Sequence, residues 1–182
     1  GPVATILGPG VIGPCTPDGF TDTIFAVSNP WVLFANLDVV GNSATHIEGI
    51  RSNILSSGDS GPIVNVVNCN FKHTKQGVRL TGSNAKMYIN KSAFINCGTG
   101  GLPVIDGENV TIIDSELNNF KHGIRLSGGD TTSRFLFASS TAFINSSFRN
   151  IELLGGFSHI TDCSFLSGTT DIGNSNSNVT GY

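Results

Sequence analysis

Two stretches of the chain share a pattern that fixes its architecture: MYINKSAF at residues 87–94 and, 23 residues later, VTIIDSEL at residues 110–117. In both, apolar residues occupy alternating positions, and a small residue stands two places before a bulky apolar anchor. Alternation with a period of two places the apolar side chains on one face of a β-strand. Recurrence of such a unit is typical of a stacked repeat.

Seven copies of this unit can be aligned along the chain. Their bulky anchors are Val39, Ile54, Phe71, Phe94, Leu117, Phe143 and Phe165. A second short strand and a polar turn follow most copies, as in residues 123–130. We therefore predict rungs of about three strands, stacked roughly 4.8 Å apart, with each strand paired to its copies above and below.

This pattern resembles the parallel β-helix of pectin-lyase-like proteins and of viral and phage tailspikes, over residues 31–174. The resemblance implies an all-β fold, a right-handed single-stranded parallel β-helix of about seven rungs. Residues 1–30, rich in Gly and Pro, are predicted to cap the open end of the stack or to link it to a preceding domain. Gly1-Pro2 is interpreted as the scar of a removed tag, and residues 175–182 as a polar tail.

Composition points to neither nucleic acid nor a membrane as a partner. Only 13% of the 182 residues are charged and the net charge is −3, which predicts no nucleic-acid binding. No apolar run reaches the roughly 20 residues of a membrane span, so membrane insertion is not expected. No cofactor or metal is predicted either, and four cysteines are interpreted as free thiols: Cys15, Cys69, Cys97 and Cys163.

Basic side chains gather in two parts of the sequence, and both parts contain the phrase Asn-Phe-Lys-His, at residues 70–73 and 119–122. The repeated phrase is expected to place Lys72 and Lys121 in one row, two rungs or roughly 10 Å apart, and such a row of cations can hold an acidic or complex polysaccharide. An alternative is that these charges only keep the turns solvated. The predicted glycan-binding residues are Lys72, His73, Arg79, Lys121, His122 and Arg125.

Acidic side chains allow an enzymatic alternative. Glycoside hydrolysis uses two carboxylates roughly 5–10 Å apart, a spacing that neighbouring rungs supply easily. The candidates are Asp106, Glu108, Asp114, Glu116 and Asp130. Asp114 is equally explained by a surface ion pair with Lys91 on the rung below. No catalytic motif of the resembling enzymes occurs, so no catalytic residue is predicted.

Three aromatic residues, Phe135, Phe137 and Phe157, are predicted to point outward on consecutive rungs. A large exposed apolar patch usually marks an interface or a ligand groove. We predict an interface, with stacking on sugar rings and cover by a loop as alternatives.

Together these features predict a β-helical segment of a viral or phage attachment spike, on the virion surface or in another extracellular place. It would bind a host-surface glycan or present a glycan-binding surface structurally, and it could be a homotrimer. One alternative is a polysaccharide lyase or glycoside hydrolase. A second alternative is a structural adhesin or spacer module, since fold alone does not decide function.

Overall fold

The computed structural model describes residues 5–7, 11–13, 23–28, 31–41, 48–52, 61–82, 84–128, 131–166 and 170–174. The described residues form β-strands, turns and bends, and none of them is helical. The strands are β1 (Thr5–Leu7), β2 (Val11–Gly13), β3 (Thr23–Ser28), β4 (Trp31–Ala35), β5 (Asp38–Val40), β6 (Glu48–Ser52), β7 (Ile63–Val67), β8 (Asn70–Lys72), β9 (Gln76–Arg79), β10 (Lys86–Asn90), β11 (Ala93–Ile95), β12 (Pro103–Gly107), β13 (Asn109–Ile113), β14 (Glu116–Leu126), β15 (Phe135–Ser139), β16 (Ala142–Leu153), β17 (Phe157–Thr161), β18 (Ser164–Leu166) and β19 (Thr170–Asn174).

Two sheets run along the stack. The smaller sheet has the order β1-β4-β7-β10-β13-β15-β17, and its strands from β4 to β17 are parallel. The larger sheet holds the other strands of each turn, and β14 and β16 each pass through two of its strand positions. The chain is thus an all-β parallel β-solenoid of about five turns, which confirms the predicted all-β class and the parallel β-helical repeat.

The predicted count of seven rungs is too high: the anchor column of the described residues has six members spanning about five turns, and the extra rung was predicted before residue 60. Val39 pairs directly with Phe71, 32 residues further on, so no anchor stands between them. The alignment on Ile54 would place Gly49 in the first strand of a rung, on the smaller sheet. Gly49 instead lies in β6, which pairs with β9 of the larger sheet. Ile54, the predicted second anchor, lies outside the described residues. The false rung arose because β6 is short and partly apolar, and periodicity alone cannot distinguish one such strand column from another.

The two N-terminal strands run against the direction of the stack. β1 pairs antiparallel with β4, and β2 pairs antiparallel with β3. Parallel pairing begins at β3, which lies within the segment predicted as a cap or linker. The predicted tail, residues 175–182, lies outside the described residues.

The interior is built from columns of like side chains. The anchor column consists, in register, of Val39, Phe71, Phe94, Leu117, Phe143 and Phe165. The rings of Phe71 and Phe94 stack with centroids 4.9 Å apart, and those of Phe143 and Phe165 with centroids 5.0 Å apart. The prediction of a stacked anchor column is confirmed. Its members are buried except Phe165, which is half-buried at the C-terminal end.

Left-handed residues turn the chain at two corners of most rungs. One corner uses Asn36, Asn68, Lys91, Asp114, Ser140 and Asp162, and the other uses His73, Asn96, Asn119 and Asn145, all with positive φ. Asn and Asp tolerate this conformation better than most residues because their short polar side chains bond locally. Asn side chains also join neighbouring rungs, as where Asn68 Nδ2 donates to Asn36 Oδ1 at 2.7 Å.

Small polar residues follow the first corner and link the rungs inside. The N–H of Cys69 donates to Ser92 Oγ at 3.1 Å, and the N–H of Ser92 donates to Ser115 Oγ at 3.2 Å. Cys69, Cys97 and Cys163 are free thiols, as predicted, while Cys15 lies outside the described residues. Burial raises the pKa of all three described thiols.

Candidate functional site

The outer face of the smaller sheet carries two columns of side chains along the rod. One column holds Trp31, Ile63, Lys86, Asn109, Phe135 and Phe157, and the other holds Leu33, Asn65, Tyr88, Thr111, Phe137 and His159. Trp31 is 45% exposed and Phe157 is 59% exposed. The face carries mostly apolar side chains towards both ends and polar ones in its middle, at Asn65, Lys86, Asn109 and Thr111.

A groove of about 190 Å³ crosses this polar middle. Tyr88 and Phe135 border it from rungs on either side of β13, so the two rings lie two rungs, roughly 10 Å, apart along the rod. Asn109 and Thr111 line the groove between the rings, and Lys86 lines it beside Tyr88. We call this site the Tyr88–Phe135 groove.

Each side chain of the groove is positioned by the regular register of its strand. Tyr88 and Phe135 are each 41% exposed, because outward positions alternate with buried ones along β10 and β15. The side-chain amide of Asn109 is held by its Nδ2, which donates to the carbonyl oxygen of Ala85 at 3.3 Å. The groove therefore presents two apolar ring surfaces, an amide, a hydroxyl and an ammonium group.

Sequence reasoning did not identify this groove. The aligned outward positions already contained Lys86, Tyr88, Asn109 and Thr111, but their mixed polarity hides the site. The available signal was the alternation of ring, polar pair and ring on three consecutive rungs, which has meaning only once the register is known.

The three predicted interface residues lie on the same face. Phe135 and Phe157 are exposed on adjacent rungs, as predicted, and Phe137 is half-buried. The Phe137 ring stacks on His159 of the next rung, with centroids 5.4 Å apart and nearly parallel planes. Their contact with another subunit stays a prediction.

The predicted alignment of the basic residues is wrong. Two rungs after Lys72, the same position is occupied by Asn118 and not by Lys121. His122 lies in one column with Pro103 and Gln76. Lys121, which precedes His122, is therefore equivalent to Lys75, which precedes Gln76. The two Asn-Phe-Lys-His phrases are therefore three residues out of register, and the predicted row of Lys72 and Lys121 is not formed.

Arg79 and Arg125 do share a column, but acidic side chains compensate their charges. Arg125 donates to Asp106 through Nη2 at 2.6 Å and through Nε at 3.3 Å. Arg79 Nη1 lies 3.8 Å from a carboxylate oxygen of Glu48. The hydrogen bond to Asp106 is the main reason that the pKa of Arg125 is raised. Both arginines bind rungs together, which leaves them less available to an anionic ligand.

His122 sits in a cationic neighbourhood beside an aromatic ring. It aligns with Arg149 on the next rung, and its ring meets Phe148 edge-on with centroids 4.9 Å apart. The pKa of His122 is lowered, mainly by burial. Glu152 acts to raise this pKa, whereas the positive charges of Lys121 and Arg149 act to lower it further. His122 is therefore mostly neutral at pH 7 and adds little positive charge. Lys72 is half-buried, and His73 is exposed at the second corner.

Two of the candidate catalytic acids hold structural positions. Asp106 is buried and accepts hydrogen bonds from Arg125 and from Ser127 Oγ. Glu108 is buried and accepts a hydrogen bond from the backbone N–H of Asn84 at 3.0 Å. Neither carboxylate is presented to solvent, where a substrate would lie. A third candidate, Asp130, lies outside the described residues.

Asp114 and Glu116 line a second groove, of about 490 Å³, along the first corner together with Lys91. The ion pair predicted between Lys91 and Asp114 is not among those that the described residues form. Asp114 has a φ of 49°, but Lys91 and Ser140 have nearly the same value at equivalent corners. Its backbone conformation therefore belongs to the fold and does not by itself indicate catalysis.

In the part of the chain that the structure describes, no cluster of His, Cys, Asp or Glu is placed to hold a metal ion. The same residues include no helix long and apolar enough to cross a membrane. Comparisons with protein-family models, curated proteins and solved structures find no match for this chain. Its function is therefore inferred from the chemistry of its surfaces.

Proposed function

We propose that this chain is a segment of a viral or phage attachment spike that binds a host-surface carbohydrate in the Tyr88–Phe135 groove. The observation that carries the proposal is the placing of two exposed rings on either side of Asn109 and Thr111. Aromatic rings pack against the apolar C–H face of a sugar, while amide and hydroxyl groups bond to its hydroxyls.

The spacing of the rungs favours a polysaccharide over a single sugar. Rungs repeat roughly every 4.8 Å, which is close to the length of one sugar residue in an extended glycan. A glycan lying along the rod would meet one rung per sugar, and the apolar face continues beyond the groove to Ile63 and Phe157. Lys86 adds a positive charge, which supports an acidic or complex polysaccharide as the ligand.

A rod of paired parallel strands suits a protein that extends from a virion surface or into another extracellular space. The likeness to tailspikes in the sequence pattern supports that setting. Phe157 lies one rung beyond Phe135, towards the C-terminal end of the face, where subunits of a homotrimer could meet.

A glycan array followed by calorimetric titration of the best ligand tests this proposal. Tyr88→Ala should weaken binding about tenfold, which corresponds to about 1.4 kcal/mol of lost ring contact. Trp31→Ala, which removes a ring of similar exposure two rungs below, is the matched control and should leave a short oligosaccharide bound.

Other outcomes would redirect the proposal. Loss of binding on joint replacement of Lys72 and Lys121 by Ala, with none for Tyr88→Ala, would move the site to the basic residues. An array without any ligand would leave the structural adhesin or spacer as the better account.

A second candidate function, polysaccharide cleavage, is favoured by one observation only: two carboxylates, Asp114 and Glu116, share a groove with Lys91. Two carboxylates on one glycan-sized surface are the minimum that hydrolysis needs. New reducing ends or unsaturated products from a bound glycan, abolished by Asp114→Asn, would establish this function.

A further inference from the structure

The second corner of the solenoid carries positive charge without acidic side chains. Residues 70–77, 96–103 and 118–122 pass through this corner on three consecutive rungs. They contain three lysines and two histidines but neither Asp nor Glu, in a chain whose net charge is −3. Residues 42–47, which precede β6, lie outside the described residues, and their sequence contains no Asp or Glu. The ion pairs of the described residues involve only arginines, so no carboxylate among these residues neutralises the lysines of the corner.

Two of these lysines, Lys75 and Lys121, belong to one column and lie two rungs apart, with Leu102 on the rung between them. Their backbones are therefore separated by roughly 10 Å along the rod. The exposed side chain of Lys121 extends back into this gap, because a Cβ built on Gly101 would lie 3.7 Å from Lys121 Nζ. The ammonium group of Lys121 thus lies over the rung that separates it from Lys75.

The glycine-rich turn on this middle rung leaves open space beside Lys121. Residues 98–102 read Gly-Thr-Gly-Gly-Leu. A Cβ on Gly100 would meet no atom within 4 Å, and a Cβ on Gly101 would meet only the Lys121 side chain. Gly101 has a φ of 98°, a backbone conformation that favours glycine. The turn therefore forms a bare floor with a lysine on the rung to each side.

The kind of cation at this corner favours a tetrahedral oxyanion as the ligand. Arginine offers a planar fork that matches a carboxylate, whereas lysine acts as a point charge with three donors and needs no planar partner. Arg125 and Arg149 already hold carboxylates, while Lys75 and Lys121 hold none among the described residues. Two ammonium groups beside one open space suit a single sulfate or phosphate ester.

An aromatic ring near the two lysines favours a sugar as the carrier of that ester. Phe148 lies one rung beyond Lys121 and is 38% exposed. Its ring is held by Arg149, whose Cζ lies 4.9 Å from the centroid, and by the edge contact with His122. Aromatic rings pack against the C–H face of a sugar, so a glycan along the rod would place its ester at the lysines and a ring on Phe148.

We infer that Lys75 and Lys121, over the turn of Gly100 and Gly101, bind a sulfate or phosphate ester of a glycan. This ester site lies at the second corner, between the two strand positions of the larger sheet, whereas the Tyr88–Phe135 groove lies on the smaller sheet. It is therefore a separate site, which binds its ligand whether or not the groove binds sugar.

Calorimetric titration with a sulfated tetrasaccharide, its phosphorylated counterpart and a carboxylated counterpart of equal charge tests the inference. At least one ester should bind more tightly than the carboxylate, and the tighter ester identifies the group. Lys121→Gln should weaken ester binding about tenfold, as expected for one lost charge-assisted hydrogen bond, and rising salt should weaken it in the wild type. The matched control, Lys86→Gln, removes an exposed lysine of the smaller sheet and should leave ester binding unchanged.

Gly100→Asp provides a second test that keeps both lysines. Because the space beside Gly100 is open, circular dichroism should be unchanged, while the new carboxylate competes for the ammonium groups and abolishes ester binding. Gly100→Ala is its control and should bind the ester as the wild type does.

Four results would overturn the inference. These are a wild type that binds neither ester, binding that survives joint replacement of Lys75 and Lys121 by Gln, equal affinity for the carboxylated sugar, and binding to vesicles of an anionic phospholipid but to no glycan ester. Tyr88→Ala separates this site from the groove: it should leave ester binding unchanged, and a loss would place the ester in the groove.

Discussion

Two columns join successive turns of this solenoid by opposite means. The anchor column stacks apolar rings in a dry interior, whereas a charged column on the larger sheet runs, in register, through Arg51, Arg79, Asp106, Arg125 and Glu152. Rings stack equally well with any neighbouring ring, so the anchor column supplies stability without choosing a partner. The charges are selective, because a slip by one turn would place like charges opposite each other.

The one like pair in the charged column explains why a further acid is buried beside it. Arg51 and Arg79 lie opposite each other. Glu48 Oε2 lies 3.3 Å from Arg51 Nη1, and Glu48 Oε1 lies 3.8 Å from Arg79 Nη1. A single carboxylate thereby compensates two neighbouring guanidinium groups. The anchor column therefore supplies most of the stability of the stack, and the charged column sets its register.

The largest effect is expected in the middle of the anchor column. Phe94→Ala should lower the free energy of unfolding by about 3–5 kcal/mol, measured by urea denaturation, because the cavity cannot collapse between fixed rungs. The ring packs so closely on Gly77 that an added Cβ there would lie 2.4 Å from it. Phe165→Ala, at the half-buried end of the same column, is the control and should cost clearly less. Equal losses at both positions would show that depth in the stack does not matter.

The next largest effect is expected at Asp106, the centre of the charged column. Asp106→Ala removes the partner of Arg125 and should cost about 1–3 kcal/mol, since Arg125 remains able to reach water. Asp106→Asn keeps the shape and separates the loss of charge from the loss of packing. Thermal unfolding at low and high salt checks the mechanism: because the Asp106 carboxylate is buried, the pair is screened only weakly, so the loss should persist at high salt.

The residues that were predictable are those whose environment is repeated. Phe71, Phe94 and Leu117 follow at a constant spacing of 23 residues, so their stacking is visible in the sequence. Where a turn is longer, as between Val39 and Phe71, the constant spacing fails. In that turn the alignment placed β6, which pairs with β9 of the larger sheet, among the strands of the smaller sheet.

The candidate site was harder to predict because it depends on contacts between turns. Asp106 appears in the sequence as a free acid and Arg125 as a free base, yet they neutralise each other across one rung. The Tyr88–Phe135 groove requires the register of three rungs at once, and no single stretch of sequence contains it.

A smaller effect is expected at the surface end of the charged column. Glu152→Gln removes the ion pair with Arg149 and should cost less than about 1 kcal/mol, because the Glu152 side chain is 15% exposed whereas that of Asp106 is 3% exposed. High salt should erase most of the difference from wild type, unlike at Asp106. A loss at Glu152 as large as that at Asp106 would contradict the distinction between the buried and exposed parts of the column.

The smallest effect concerns His122, which lies beside the charged column, and it depends on pH. The pKa of His122 is lowered in the folded protein, so below its ordinary value of about 6.5 the unfolded chain binds the proton more readily. The free energy of unfolding should therefore fall as the pH drops through this value, and His122→Asn should flatten that slope slightly. Chemical denaturation between about pH 5 and 8 measures it, with His159→Asn as the control for removal of a surface imidazole. If the free energy of unfolding fell more steeply with decreasing pH in His122→Asn than in wild type, the protonated imidazole would stabilise the fold. That result would contradict the prediction, because it would mean that Glu152 outweighs burial and the neighbouring cations around His122.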